Sequence, residues 1–196
     1  VQQGYLGFLL LGRAMLHPDG LSSDPVFRDQ IDTSALYYDG NSQGGIYGGA
    51  LTAIAPDFER AVLGVPGMNY STLLQRSVDF DMYANGDFEG VESPLGLYDS
   101  YPDELDRVLV FSFMQMLWDR ADPNGYAQHM TSDPLPNTPS HKVLMHVGFG
   151  DHQVADVSAE VQARTIGARI HQPGLAPDRA RFRDRPYPDE SAPAPF

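Results

Sequence analysis

Tyr37-Tyr38-Asp39-Gly40-Asn41-Ser42-Gln43-Gly44-Gly45 joins an apolar run to a glycine-rich one through a G-x-S-x-G spacing from Gly40 to Gly44. Upstream, Ser34-Ala35-Leu36-Tyr37-Tyr38 is apolar and aromatic, and Asp32 and Asp39-Gly40 bound it. It reads as a strand buried on both faces. Downstream, Gly44 to Ala55 is small and helix-compatible until Pro56 ends it. Ala61-Val62-Leu63-Gly64-Val65 then reads as a second continuous apolar strand, closed by Pro66-Gly67. Strand, helix and strand within about thirty residues form the unit of a parallel sheet, so the expected class is α/β. The spacing has a steric reason. A serine in a strained turn at the tip of a strand needs neighbours without side chains, because anything larger than hydrogen at Gly40 and Gly44 would collide with the adjoining strand and helix. So placed, Ser42 is a candidate nucleophile, and the alternative is a purely structural glycine-rich turn.

Outward from this unit, Gln3 to Leu16 reads as a helix with Tyr5, Phe8, Leu9 and Leu16 on one face, stopped by His17-Pro18-Asp19-Gly20. No positive charge precedes Tyr5 and no small-residue cleavage site follows Leu11, so this is expected to be an internal helix rather than a signal peptide. Ser23-Asp24-Pro25 offers a cap for a short helix through Phe27 and Arg28. From Ser71 to Asp119 the pattern is helical, with a loop rich in Asp and Gly from Asp79 to Glu92. Within it, Asp103 to Trp118 is apolar on most faces and therefore expected to be buried. Thr131 to Ser140 carries three prolines and reads as a loop. Lys142 to Val147 is a third apolar strand, and an amphipathic helix runs from about Val154 to Ile170. The expectation is one domain over residues 1–171 with a helical insertion at about 71–130. Residues 172–196, rich in proline and arginine, form an extended or disordered tail.

Composition removes several classes of function. Thirteen basic against 26 acidic residues give a net charge of -13, which repels phosphate backbones, so nucleic acid is excluded as a partner. No apolar run approaches the roughly 18 residues that cross a bilayer, so no membrane span is expected. With no cysteine, disulfides, thiolate zinc sites and a cysteine nucleophile are all excluded. Chemistry is left to Ser, His, Asp, Glu and Tyr. Asp81-Met82-Tyr83-Ala84-Asn85-Gly86, with Glu92 at the twelfth place, partly matches a calcium loop. Tyr83 occupies a ligand position and Pro94 disfavours the exiting helix, so a solvated acidic loop is the preferred reading and neither metal nor cofactor is expected. The stripe Phe111, Phe113, Met114, Met116 and Trp118 suits core packing, or an acyl-binding wall in a lid.

The elbow sequence, Val62-Leu63-Gly64-Val65-Pro66-Gly67, and Leu144-Met145-His146-Val147-Gly148-Phe149-Gly150-Asp151-His152-Gln153-Val154 together resemble the fifth, sixth and seventh strand regions of α/β-hydrolases. The resemblance covers residues 34 to 170. It implies a partial α/β-hydrolase, a parallel sheet with flanking helices and a helical lid insertion, and a serine hydrolase that cleaves a small-molecule or lipid carboxylic ester. It places the nucleophile at Ser42, the acid at Asp151, and half of the oxyanion hole on the Gln43 N–H. The pattern also departs from the family. Only about 33 residues precede Ser34, where the family has four strands, and the family's histidine follows an eighth strand that is not seen here. The chain therefore reads as an internal portion of a larger hydrolase, or one completed by other chains. His152, beside Asp151, is the candidate base within these residues, with helix capping as its other reading. The family's order instead places the base beyond Phe196. His146 reads as a core or sheet-face residue, and His17, His129, His141 and His171 as surface or loop residues. An unpaired edge on the nucleophile strand implies a covering segment or a homo-oligomer across it. The alternative function is a non-catalytic binding or structural module.

Overall fold

A computed structural model describes residues 1–87 and 95–172. Its first helix, α1 (Gln2–Leu16), is followed by turns and by β1 (Tyr38–Asn41), α2 (Gln43–Ile54) and β2 (Arg60–Gly64). A helical stretch comes next: α3 (Tyr70–Leu74), α4 (Asp81–Asn85), α5 (Leu97–Ser100) and α6 (Glu104–Trp118). The order closes with β3 (Lys142–His146) and α7 (Asp156–Ile166). Among the described residues the three strands form one parallel sheet in the order β1-β2-β3, with helices packed against it. The α/β class is thus observed.

Register decides the two faces. Tyr38, Ala61 and Val143 align across the sheet, as do Gly40, Leu63 and Met145 two residues later. Because successive residues point to opposite faces, these six share the covered face. There Ala61 and Leu63 join Ala55 and Phe58 in the core, with Tyr38 and Val143 packed against them. A second cluster of Ala53, Met68, Ala127, Met130 and Ile166 lies under Val143 and Met145. Burying a side chain such as Leu63 contributes about 1.5–3 kcal/mol, and these clusters tie α2 and α7 to the sheet.

The opposite face carries Asp39, Val62 and Leu144 in one row and Asn41, Gly64 and His146 in the next. Leu144 is 54% exposed there. The nucleophile strand therefore differs from expectation twice. It spans Tyr38–Asn41 rather than Ser34–Tyr38, and it is buried on one face, with Asp39 and Asn41 exposed. Pairing with β2 sets the span, and the absence of any described element over the second face sets the exposure.

Helix α6 also departs from the reading as a buried helix. Asp103 caps it as its sequence suggests, accepting from Leu105 N and Asp106 N. Inward it buries Phe111 and Gln115, whereas Leu105, Leu109, Phe113 and Met116 lie on the other side, Phe113 at 66% exposure. On α1, Tyr5 is buried but Phe8, expected on the same face, is exposed. Ser23-Asp24-Pro25 opens turns rather than a helix, with Phe27 N and Arg28 N donating to Asp24 O.

Asp81–Asn85, expected in a loop, is a helical turn ended by Gly86 at φ 68°. Alternate residues on a helix are about 200° apart, so Asp81, Tyr83 and Asn85 do not converge as loop ligands would. Glu92 and the tail from 173 lie outside the described residues. No described helix is long and apolar enough to cross a membrane.

Candidate functional site

Ser42 is the residue at which strand becomes helix. Its N–H donates to Gly64 O at 3.0 Å, continuing the β1–β2 pairing, and its own carbonyl accepts from Ile46 N at 2.9 Å to begin α2. Serving both elements forces the backbone to φ 55° and ψ -120°, a region that side chains rarely enter and that costs on the order of 1–3 kcal/mol. The strain has a chemical consequence. A serine preceding a helix ordinarily turns its hydroxyl onto the helix amides, but here Ser42 makes no side-chain cap and is exposed. The hydroxyl is left presented at the C-terminal edge of the sheet.

The glycines around it divide differently from the motif. A Cβ on Gly40 would lie 2.5 Å from Gly44 O, so Gly40 is sterically required. On Gly44 a Cβ would meet only Tyr38 Oη, at 3.7 Å, an ordinary contact. The expected collision occurs one residue later: a Cβ on Gly45 would lie 2.0 Å from Gly64 O. Helix α2 crosses β2 most closely at Gly45, because Gly44 turns aside and its carbonyl is taken by the Tyr38 hydroxyl at 2.7 Å.

Ser42 opens onto a cleft of about 140 Å³. Helix α2 contributes Gln43, Ile46 and Tyr47; α3 contributes Tyr70, Leu73 and Leu74. Ser77 and Asp79, from the segment after α3, and Gln153 and Val154, from the loop after β3, complete the lining. The amides of the first turn of α2, Gln43 N among them, have no acceptor within the helix. Tyr47 and Tyr70 stack at 6.2 Å and 21°, and Trp118 meets Tyr70 edge-on at 5.5 Å. Burial pushes the Tyr70 phenol up to about 12, so it stays protonated at neutral pH.

A buried polar network holds the α3 wall in place. Asp122 accepts from Tyr70 N at 2.5 Å and from Gln115 Nε2 at 2.8 Å, while Gln115 Oε1 accepts from Ser71 N at 2.9 Å. Burial raises the Asp122 carboxyl above its ordinary value. Through this network the C-terminal end of α6 positions the cleft.

The residues expected at the site are distributed as follows. Ser42 and Gln43 line the cleft together. Asp151 lies in the loop after β3, its Oδ1 accepting from Gln153 N at 2.8 Å and Val154 N at 3.0 Å, which anchors two residues of the cleft lining. His152 is exposed, and its carbonyl accepts from Val78 N at 2.9 Å. Its neighbours Gln153 and Val154 line the cleft, but His152 itself is not among the lining residues. The other histidines are dispersed. His17 accepts from Asp19 N, His129 faces Asp133, and His146 and His171 are exposed. His141, expected at the surface, is 3% exposed, enclosed between the carbonyls of Met130 and Ala55 at 3.2 Å each.

Sequence reasoning did not single out Tyr47, Tyr70, Asp79 or Gln153. Asp79 was legible only as one acid in an acidic stretch, and no motif marks the others. Among the described residues no group of His, Asp and Glu is arranged to hold a metal ion. No family model matches the chain, and neither curated proteins nor solved structures match it.

Proposed function

We propose that the chain carries the nucleophilic half of a serine hydrolase that cleaves carboxylic esters through an acyl-enzyme on Ser42. One observation carries this reading: the strained backbone of Ser42, which frees its hydroxyl from the helix it precedes and aims it into a cleft. Strain of this kind persists where a site needs it.

In the proposed reaction, Ser42 Oγ attacks the ester carbonyl as a histidine takes its proton. The oxyanion so formed accepts from Gln43 N–H at the positive end of α2. Collapse expels the alkoxide, which takes the proton from the imidazolium, and water then releases the acid by the same steps. Asp151 orients the histidine, supplied either by His152 after a turn of its loop or by sequence beyond Phe196. The stretch α3 to α6 serves as the lid, and the cleft beside Ser42 receives a small-molecule or lipid ester. In this reading the chain is related to the α/β-hydrolases.

A fluorophosphonate probe is expected to label Ser42, and Ser42→Ala to abolish the labelling. Labelling that survives Ser42→Ala refutes the assignment. The second reading, a non-catalytic binding or structural module, is favoured by the lack of any described histidine hydrogen-bonded to Ser42. Inertness toward both the probe and short p-nitrophenyl esters would favour it. In either case the open edge of β1 and the exposed sheet face beside Leu144 call for a covering partner: a further segment of a larger chain or a second copy. Light scattering that returns a monodisperse monomer of this chain would argue against a second copy.

A further inference from the structure

The cleft beside Ser42 has one charged wall. Asp79 lines it together with the aromatic pair Tyr47 and Tyr70. Gln153, also in the lining, donates from Nε2 to both carboxylate oxygens, at 3.1 Å to Oδ1 and 3.3 Å to Oδ2. This fixes the carboxylate without neutralising it, because an amide dipole carries no net charge. The ion pairs Arg13–Asp57 and His129–Asp133 lie elsewhere, and the polar partner of Asp79 among the described residues is the uncharged Gln153 amide. The remaining lining mixes apolar and aromatic side chains, Ile46, Leu73 and the two tyrosines among them, with the uncharged polar Ser42, Gln43 and Ser77.

We propose that this cleft selects substrates bearing a protonated amine, with Asp79 as the residue that confers the selectivity. The proposal rests on Ser42 as nucleophile for its meaning in catalysis, but the recognition itself does not require turnover. Three effects act in one direction. The Asp79 carboxylate is exposed, so its attraction for an ammonium is that of a surface charge, and its fixed position at the cleft directs it. The faces of Tyr47 and Tyr70 add cation–π attraction once a cation displaces water from them. The net charge of -13 raises the local concentration of cations and repels carboxylate- or phosphate-bearing esters. The expected substrate class is therefore an ester with an aliphatic or aromatic amine near the scissile carbonyl, rather than an anionic lipid ester.

Trp118 is the chain's single tryptophan and meets Tyr70 edge-on, so its fluorescence reports on the cleft without any chemistry. The test titrates the full chain with benzylammonium and with benzyl alcohol, which differ mainly in charge. Benzylammonium is expected to bind about tenfold more tightly or better, as cation–π and carboxylate contacts of this kind imply. The preference is expected to collapse in Asp79→Asn, which keeps a side chain of the same shape for Gln153, and to shrink as salt is raised. Equal binding of the two probes, or a preference that survives Asp79→Asn, overturns the proposal. Hydrolysis of neutral p-nitrophenyl acetate is measured in parallel. If that ester is cleaved while benzylammonium and benzyl alcohol bind equally, the amine selectivity alone fails. If benzylammonium is preferred but no ester is cleaved and Ser42 resists the fluorophosphonate, the nucleophile reading alone fails.

Discussion

Substituting alanine at Gly45 and at Gly44 separates two neighbouring glycines that the motif alone cannot rank. At Gly45 the added methyl would lie 2.0 Å from Gly64 O and 2.9 Å from its carbonyl carbon, about 1 Å inside the closest approach that real side chains show. The obstacle is strand backbone, so relief requires α2 to move off β2, carrying Ser42 and Gln43 with it. Overpacking of this kind costs about 1–3 kcal/mol, sometimes more, and the intrinsic helix preference of alanine over glycine returns about 1 kcal/mol at most. The net expectation for Gly45→Ala is a loss of about 1–2 kcal/mol, which in a chain of this size lowers the melting temperature by roughly 2–8 °C. Gly44→Ala meets only Tyr38 Oη at 3.7 Å, so it gains the helix preference of about 0.5–1 kcal/mol without a clash. Urea denaturation followed by circular dichroism measures both. A Gly45→Ala variant as stable as the parent, or two variants equally damaged, would refute the close approach of α2 to β2.

At Ser42 the backbone lies at φ 55°, so Ser42→Gly is expected to stabilise the fold by about 1 kcal/mol where Ser42→Ala does not, while both lose fluorophosphonate labelling; equal denaturation midpoints for the two would remove the strain argument. Gln162 is fully buried and neither amide atom has a hydrogen-bond partner among the described residues, so Gln162→Met is expected to raise stability by about 1–3 kcal/mol, and a clear loss on urea titration would refute this. Desolvation lowers the His141 imidazole below its ordinary value of 6.5, so the folded state binds this proton less readily than the unfolded state does. The corresponding stability is present above pH 6.5 and lost as the pH falls toward the depressed value. Urea midpoints at pH 7.5 and 5.5 should therefore differ by less in His141→Gln than in the parent, and an undiminished difference would place the effect elsewhere.

Much of the chain is legible without a third dimension. The elbow around Ser42, the strands at Arg60–Gly64 and Lys142–His146, and the cap at Asp103 all follow from residues adjacent to one another, because turn strain, β-propensity and capping act over a few positions. The net charge of -13 is likewise read from composition alone. Other features depend on neighbours distant in the chain. Gly45 rather than Gly44 is the constrained glycine because Gly64 O lies against it, and β1 begins at Tyr38 because Ala61 pairs there. The apolar stripe of α6 gives no sign of which side packs inward; Ser71, Asp119 and Asp122 decide that by hydrogen-bonding Gln115. Burial of His141 requires the carbonyls of both Met130 and Ala55, the latter 86 residues away. Asp79 and Gln153 become one wall of the Ser42 cleft only when the loop after β3 meets the segment after α3. Local sequence sets backbone preference and charge, whereas packing against a partner far along the chain sets register, burial and the grouping of side chains into a site.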